Sequence, residues 1–180
     1  NQTLWDMITY KAAQQADLNT RVRMQAVSLA TVMLGQGIAF DQQGSELLRS
    51  KSFTRDSYDS GDWFNRVDYA MQDNNFNVGM PRISDDGSNY EVISRVKEMV
   101  ATPGEAELKQ MTAFYQELTG LRKSSPLFTL GDGSAVMKRV DFRNTGPDQQ
   151  AGLLIMTIDD GVQAGASLDS RCLLYTSDAA

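Results

Sequence analysis

From residue 20 to residue 34 the sequence TRVRMQAVSLATVML carries apolar side chains around most of a helical circumference. Asn19 precedes it as a candidate N-cap, and Gly35 and Gly37 stop it. Such a pattern predicts a helix buried on a broad face. The run IAF, Ile38 to Phe40, follows at once, short and apolar between Gly37 and Asp41. That is the pattern of a fully covered strand in a parallel sheet, so the chain is expected to open on an α/β unit.

A polar segment of about fifty residues, Asp41 to Asn89, comes next, and irregular stretches of that length in compact domains are usually functional or disordered. Its aromatic residues, Phe53, Tyr58, Trp63, Phe64, Tyr69 and Phe76, argue against disorder. Helical period returns at YEVISRVKEMV, where Tyr90, Ile93, Val96, Lys97 and Val100 share a face, and ends before Pro103 and Gly104. A second helix, EAELKQMTAFYQELTGLRKSS, aligns Leu108, Met111, Tyr115, Leu118 and Leu121, with acids at its start and Arg122 and Lys123 at its end. After Pro126 the period becomes two. AVMKRVDFRN alternates Val136, Lys138, Val140 and Phe142 with polar partners, and GLLIMTIDDG reads as a second strand across the turn TGPDQQA. The pair is expected to form an antiparallel ribbon opening an all-β domain, with the boundary near Ser125.

Composition narrows the class. At 180 residues and 41% hydrophobic, the chain suits one globular domain or pieces of two. A net charge of -6 with no histidine leaves no basic stripe to neutralise phosphates, which excludes a nucleic-acid partner. The longest apolar stretch, Val27 to Gly35, is too short to span a bilayer, so no membrane contact is expected. Both ends read as cut. Any signal peptide would lie upstream of Asn1, and CLLYTSDAA, residues 172–180, resembles a translated sequencing-library adapter and is set aside. Cys172, the single cysteine, goes with it, which leaves no support for disulfides, structural zinc or thiol chemistry.

The densest chemistry lies in RDSYDSGDWFNRVDY, Arg55 to Tyr69, where acids, amides and aromatics crowd together. Aromatic rings beside Asp, Asn and Arg suit a sugar, which offers an apolar face for stacking and a rim of hydroxyls for hydrogen bonds. A long loop after the carboxyl end of a buried parallel strand also sits where α/β barrels keep their active sites. Composition alone favours Trp63 and Phe64 as loop core and the acids as solvating. Asp56, Asp59 and Asp62 recur every three residues, but neither they nor SDDGSNYE at 84–91 have EF-hand spacing. Asp159 and Asp160 before Gly161 read as a turn, and Met24, Met33 and Met111 as core fillers.

GIAFDQQGSELLRSK resembles the segment that ends the eighth strand in the α-amylase clan of retaining glycoside hydrolases, where it leads to Gly-x-Glu, here Gly44 to Glu46. NQTLWD at Asn1 to Asp6, FTRDSYDSGDWFNRVDY and TAFYQELTGLRKSSPLF resemble one subgroup, the bacterial type I pullulanases, over Asn1 to about Arg171. The resemblance implies residues 1–125 as the C-terminal part of a catalytic (β/α)8 TIM barrel and 126–171 as the start of an antiparallel β-sandwich domain. It implies cleavage of α-1,6-glucosidic linkages in pullulan and branched α-glucans by a retaining mechanism. The nucleophile, the acid and the third aspartate, which directly precedes the Asn-x-Thr-Leu-Trp segment, would all lie upstream, so no catalytic residue is assigned here.

Substrate binding is expected at Asn1, Arg55, Asp56, Tyr58, Trp63 and Asn65. Asn1 alternatively only caps a turn, and an Arg55–Asp56 pair alternatively only braces the loop. Glu46 is expected as a structural brace. No metal site or cofactor is assigned, although calcium in the full-length enzyme is possible, and secretion or surface attachment is implied by the polymeric substrate. The alternatives are a non-catalytic α-glucan-binding protein on a degenerate barrel, or a neighbouring clan activity such as isoamylase or α-amylase. Alone, the chain is expected to be inactive and unstable, because a partial barrel leaves open sheet edges.

Overall fold

The computed structural model describes residues 2–160 and the short strand Ser177–Asp178. Helices dominate: α1 Leu4–Met7, extended by a wider turn over Ile8–Ala12, α2 Leu18–Met33, α3 Asp62–Asn65, α4 Ile83–Asp86, α5 Tyr90–Met99, α6 Glu105–Ser124 and α7 Gly133–Arg139. The strands are short: β1 Val140–Phe142, β2 Leu153–Leu154, β3 Met156–Ile158 and β4 Ser177–Asp178. Two compact units divide the chain, one of residues 1–29 and 41–115, the other of residues 30–40 and 116–180. The architecture is therefore mixed, helices with a small antiparallel sheet component.

In the first unit, Thr3 caps α1, its Oγ1 accepting the Asp6 amide at 3.2 Å. α2 starts two residues earlier than expected. Asp17, not Asn19, is its cap, with Oδ1 accepting from Thr20 N at 2.7 Å, and that bond holds the Asp17 carboxyl below its ordinary range. The broad burial holds: Arg21, Val22, Gln25 and Leu29 are all buried, and Gln25 Nε2 donates to Ser45 O at 2.7 Å. α5 buries Ile93 and Val96 on the expected face, while Lys97 runs alongside to Gly79 O at 2.7 Å. α6 buries Leu108 and Met111 in this unit, and Glu107 turns back to the Gly104 amide at 2.8 Å as half of a capping box.

In the second unit, Arg122 does more than offset the helix dipole. Its guanidinium reaches the carbonyls of Met33 at 2.6 Å, Gly35 at 2.7 Å and Gly37 at 2.7 Å, satisfying acceptors that the end of α2 leaves open. Gln36 bridges Leu127 O and Leu130 N. Ser125 lies inside this unit and caps the turn Pro126–Thr129, which buries Leu127 and Phe128.

Two expectations fail here. Ile38 to Phe40 is not a covered strand: Ile38 and Phe40 are each 83% exposed. A parallel strand exists only through ladders with its neighbours, and among the described residues no strand runs beside this one. The segment read as a strand from Ala135 begins instead as α7. Asp132 Oδ1 accepts the Ala135 amide at 2.9 Å, and Lys138 and Arg139 close the last turn, so capping overrides a pattern that suited either period. The ribbon itself forms in shorter form, β1 antiparallel to β3 with Val140 opposite Ile158 and Phe142 opposite Met156. β2 pairs with β4. Cys172 and the Gly161 turn lie outside the described residues.

Candidate functional site

The segment from Asp41 to Asn89 is an ordered loop whose aromatics divide by burial. Phe53, Phe64 and Phe76 are buried, whereas Tyr58, Trp63 and Tyr69 are 97%, 50% and 61% exposed. Phe53 anchors the base, edge-to-face with Tyr10 at 5.6 Å and with Phe76 at 5.4 Å between ring centroids. Polar side chains replace the regular backbone ladders that the loop lacks. The Asp68 carboxylate accepts the amides of Ala70, Gln72 and Asp73, and Asn74 Nδ2 donates to Leu48 O at 2.8 Å. Leu48, Ser52, Phe53, Met71, Asn75 and Asn77 all have φ between 49° and 67°, conformations that side chains ordinarily avoid.

Arg55 is anchored to Asp86. Its amide donates to Asp86 Oδ2 at 3.0 Å, its Nε lies 3.7 Å from Asp86 Oδ1, and its Nη2 donates to Asp85 O. Asp86 is fully buried. The expected Arg55–Asp56 brace is thus replaced by Arg55–Asp86, because Asp86 is the carboxylate presented to the Arg55 backbone. Asp56 is exposed, and its Oδ1 meets the Tyr58 amide at 3.4 Å. The Tyr58 side chain stands out in solvent. Asn65 is exposed but exchanges bonds with Ser57: Ser57 Oγ donates to Asn65 Oδ1 at 2.8 Å, and Asn65 Nδ2 donates to Ser57 O at 2.9 Å. Its amide is thus committed to closing the loop that carries Asp56 and Tyr58.

Trp63 stacks on Phe64 with ring centroids 3.9 Å apart and 26° between planes. The other edge of its ring lies over Gly79, where a Cβ would come within 2.7 Å of Cη2. Glu46 accepts the Gly44 amide at 3.0 Å through Oε2, and its carbonyl accepts Thr112 Oγ1 at 3.1 Å. Asp59 is paired with Arg82, which also bonds Asp85 at 2.9 Å, and Arg82 holds the Asp59 carboxyl below its ordinary range. Asn1 lies outside the described residues. Among the described residues no group of three or more acids, cysteines or histidines is placed to hold a metal ion.

A family model for pullulanase-type α-1,6-glucosidases, C-terminal, matches residues 71–175. The chain belongs to the pullulanase-type α-1,6-glucosidase family. A pullulanase of Klebsiella pneumoniae is 92% identical over 95% of this chain, and one of Klebsiella aerogenes is 85% identical over 96%; the chain spans 16% of the length of each. The chloroplastic pullulanase 1 of Arabidopsis thaliana is 38% identical over 98% of the chain and is covered over 18% of its own length. Among solved structures, PulA from Klebsiella oxytoca superposes with a TM-score of 0.90 at 92% identity, over 95% of this chain and 16% of that one. The Klebsiella pneumoniae pullulanase complexed with maltotriose gives a TM-score of 0.91 at 88% identity over the same shares.

Within this pullulanase-type chain the sequence marked the polar, aromatic loop and missed what holds it. Asp6 is fully buried and accepts Ser50 Oγ at 2.5 Å, Lys51 N at 2.8 Å and Phe53 N at 3.2 Å. Burial pushes its carboxyl above the ordinary carboxylate range, against the pull of those bonds. The neighbouring Lys51 is also buried, which lowers its ammonium, with Asp6 opposing that shift. Thr3-x-x-Asp6 reads in sequence as a local helix start, and the 44 to 47 residues between Asp6 and its donors leave no periodic trace.

Proposed function

We propose that this chain is the C-terminal part of a pullulanase that cleaves α-1,6-glucosidic linkages in pullulan and branched α-glucans, and that the loop 50–69 forms part of its sugar-holding wall. The observation that carries the reading is the division of labour in that loop: Arg55, Ser57 and Asn65 are committed to holding it, while Asp56 and Tyr58 project from it. An exposed carboxylate beside an exposed phenol, with a half-exposed indole nearby in sequence, provides hydrogen-bond acceptors and stacking faces for glucose units. In this reading Asn1 is also assigned to substrate, and Glu46 to bracing the turn at Gly44.

The reaction follows the retaining template: a carboxylate nucleophile, a carboxylic acid that protonates the leaving oxygen, and a covalent glycosyl intermediate. All of these groups are assigned to residues outside this chain, which contributes binding and positioning. In this reading residues 1–125 complete a (β/α)8 barrel and residues from 126 open a β-sandwich. Secretion or surface attachment fits a polymeric substrate.

The test is the full-length protein on pullulan against amylose, with D56A beside wild type. The expected result is selective hydrolysis of pullulan, and a loss of turnover in D56A larger than its loss in melting temperature. Equal turnover of D56A and wild type would remove Asp56 from the wall. A wild-type protein that binds pullulan without hydrolysing it would establish the glucan-binding alternative, and preference for amylose would point to a neighbouring clan activity.

A further inference from the structure

We propose that Asp6 is a positioning residue: its carboxylate fixes the turn 50–53 and thereby sets where Asp56 and Tyr58 stand against a bound glucan. The inference rests on reading the loop as a sugar-holding wall. Three donors from one four-residue stretch, Ser50 Oγ and the amides of Lys51 and Phe53, converge on this single buried carboxylate. The same stretch holds two consecutive non-glycine residues in the left-handed region, Ser52 at φ 49° and Phe53 at φ 67°. Such conformations persist only where the surroundings over-determine them, and they cluster at sites whose geometry matters.

The segment that begins at Gln2 supplies much of that restraint, beside Asn74, Phe76 and Gly79, which also hold residues 50, 52 and 53. Gln2 Nε2 donates to Phe53 O at 3.2 Å and to the Tyr10 hydroxyl at 2.6 Å, and the Tyr10 ring meets Phe53 edge-on. Only Thr54, whose amide closes a turn to Lys51 O at 2.9 Å, separates the pinned Phe53 from Arg55. The path into the tip is therefore set by Asp6, and the path out by the Ser57–Asn65 exchange.

The acceptor count distinguishes Asp6 from its conservative replacement. Oδ2 takes both amides and Oδ1 takes the Ser50 hydroxyl. In D6N the amide oxygen keeps both backbone donors, and the new NH2 donates to Ser50 Oγ, so that only the Ser50 hydroxyl proton loses its acceptor. That hydroxyl already accepts Ser52 N at 2.9 Å and has a second lone pair. D6A leaves all three donors without an acceptor.

The experiment uses the full-length protein, with kcat and KM on pullulan well below the melting temperature and native-state trypsin cleavage followed at Arg55. D6A is expected to raise KM about tenfold through misplacement of the wall, with D6N within about threefold of wild type. D6A is also expected to speed cleavage at Arg55 about tenfold without speeding it elsewhere. Should D6A not fold, S50A, which removes one of the three donors together with the acceptor of Ser52 N, carries the same comparison with an expected change of about threefold in KM. A variant with a lowered melting temperature but wild-type KM and wild-type cleavage at Arg55 overturns the proposal. If the wild-type protein does not hydrolyse pullulan, the functional reading fails separately, and cleavage at Arg55 still decides whether Asp6 fixes the loop.

Discussion

Replacing Gly79 by alanine tests whether Trp63 is held as a platform or merely packed. A Cβ at residue 79 would lie 2.7 Å from Trp63 Cη2 and 2.9 Å from Cζ3, so either the backbone or the ring must move. The backbone is tied on both sides: Gly79 O accepts Ser52 Oγ at 2.6 Å and Lys97 Nζ at 2.7 Å, and Gly79 N donates to Ser52 Oγ at 3.3 Å. Those bonds are each worth about 1 kcal/mol, and more for the charged donor. The half-exposed ring is held chiefly by its stack on Phe64, worth about 0.5–1.5 kcal/mol. The ring is therefore the weaker party and swings outward. G79A is expected to lower stability by about 1 kcal/mol and, if Trp63 faces glucan, to weaken maltotriose binding about fivefold. Calorimetric titration of the full-length protein would measure that affinity for G79A, W63A and the double variant. Because the methyl acts only through the ring, G79A should cost almost no further affinity in the W63A background. Additive losses would show that residue 79 affects binding by another route, and wild-type affinity in W63A would remove Trp63 from the wall.

Two further expectations concern stability. R122A removes three charged hydrogen bonds from the carbonyls closing α2 and is expected to cost about 2–4 kcal/mol, with R122K restoring little because an ammonium lacks the planar fork; amide exchange in the last turn of α2 would read the difference. For Asp6 the folded carboxyl titrates above its ordinary 3.8, so its contribution to stability is fully present below that value and is lost as pH rises through the raised folded value. D6N does not titrate. Its stability relative to wild type should therefore improve as pH rises through that window, and a constant difference between the two would refute the assignment.

What the sequence carried best was periodicity backed by length. The shared face of Ile93 and Val96 in α5, and of Leu108, Met111 and Leu118 in α6, recurs often enough to be unambiguous, and those residues are buried. Short segments failed. Ala135 to Val140 satisfies helical and strand spacing alike, and a single cap at Asp132 decides it. Ile38 to Phe40 has the composition of an inner strand, but a strand is a property of its neighbours, which a composition cannot supply. Within the loop the aromatics were visible as a group and their division was not. Phe53 and Tyr58 differ in fate because Phe53 meets Tyr10 and Phe76, both distant in sequence.

The same distinction explains why the sequence draws attention to Asp56 and not to Asp6. A residue that faces solvent in a polar, aromatic stretch is marked by its neighbours in the chain. A residue that acts by bonding a backbone more than forty positions away is marked only by its partners' geometry. Loops without ladders need such residues, since their amides have no regular acceptors, and the acceptors must come from side chains. Asp6, Asp68 and Asp86 all fill that role here, each receiving backbone amides of the loop. In a chain with no histidine and a single cysteine, the carboxylates that accept backbone amides, Asp6 and Asp86 fully buried and Asp68 partly so, are thus the residues that hold the loop carrying Asp56 and Tyr58.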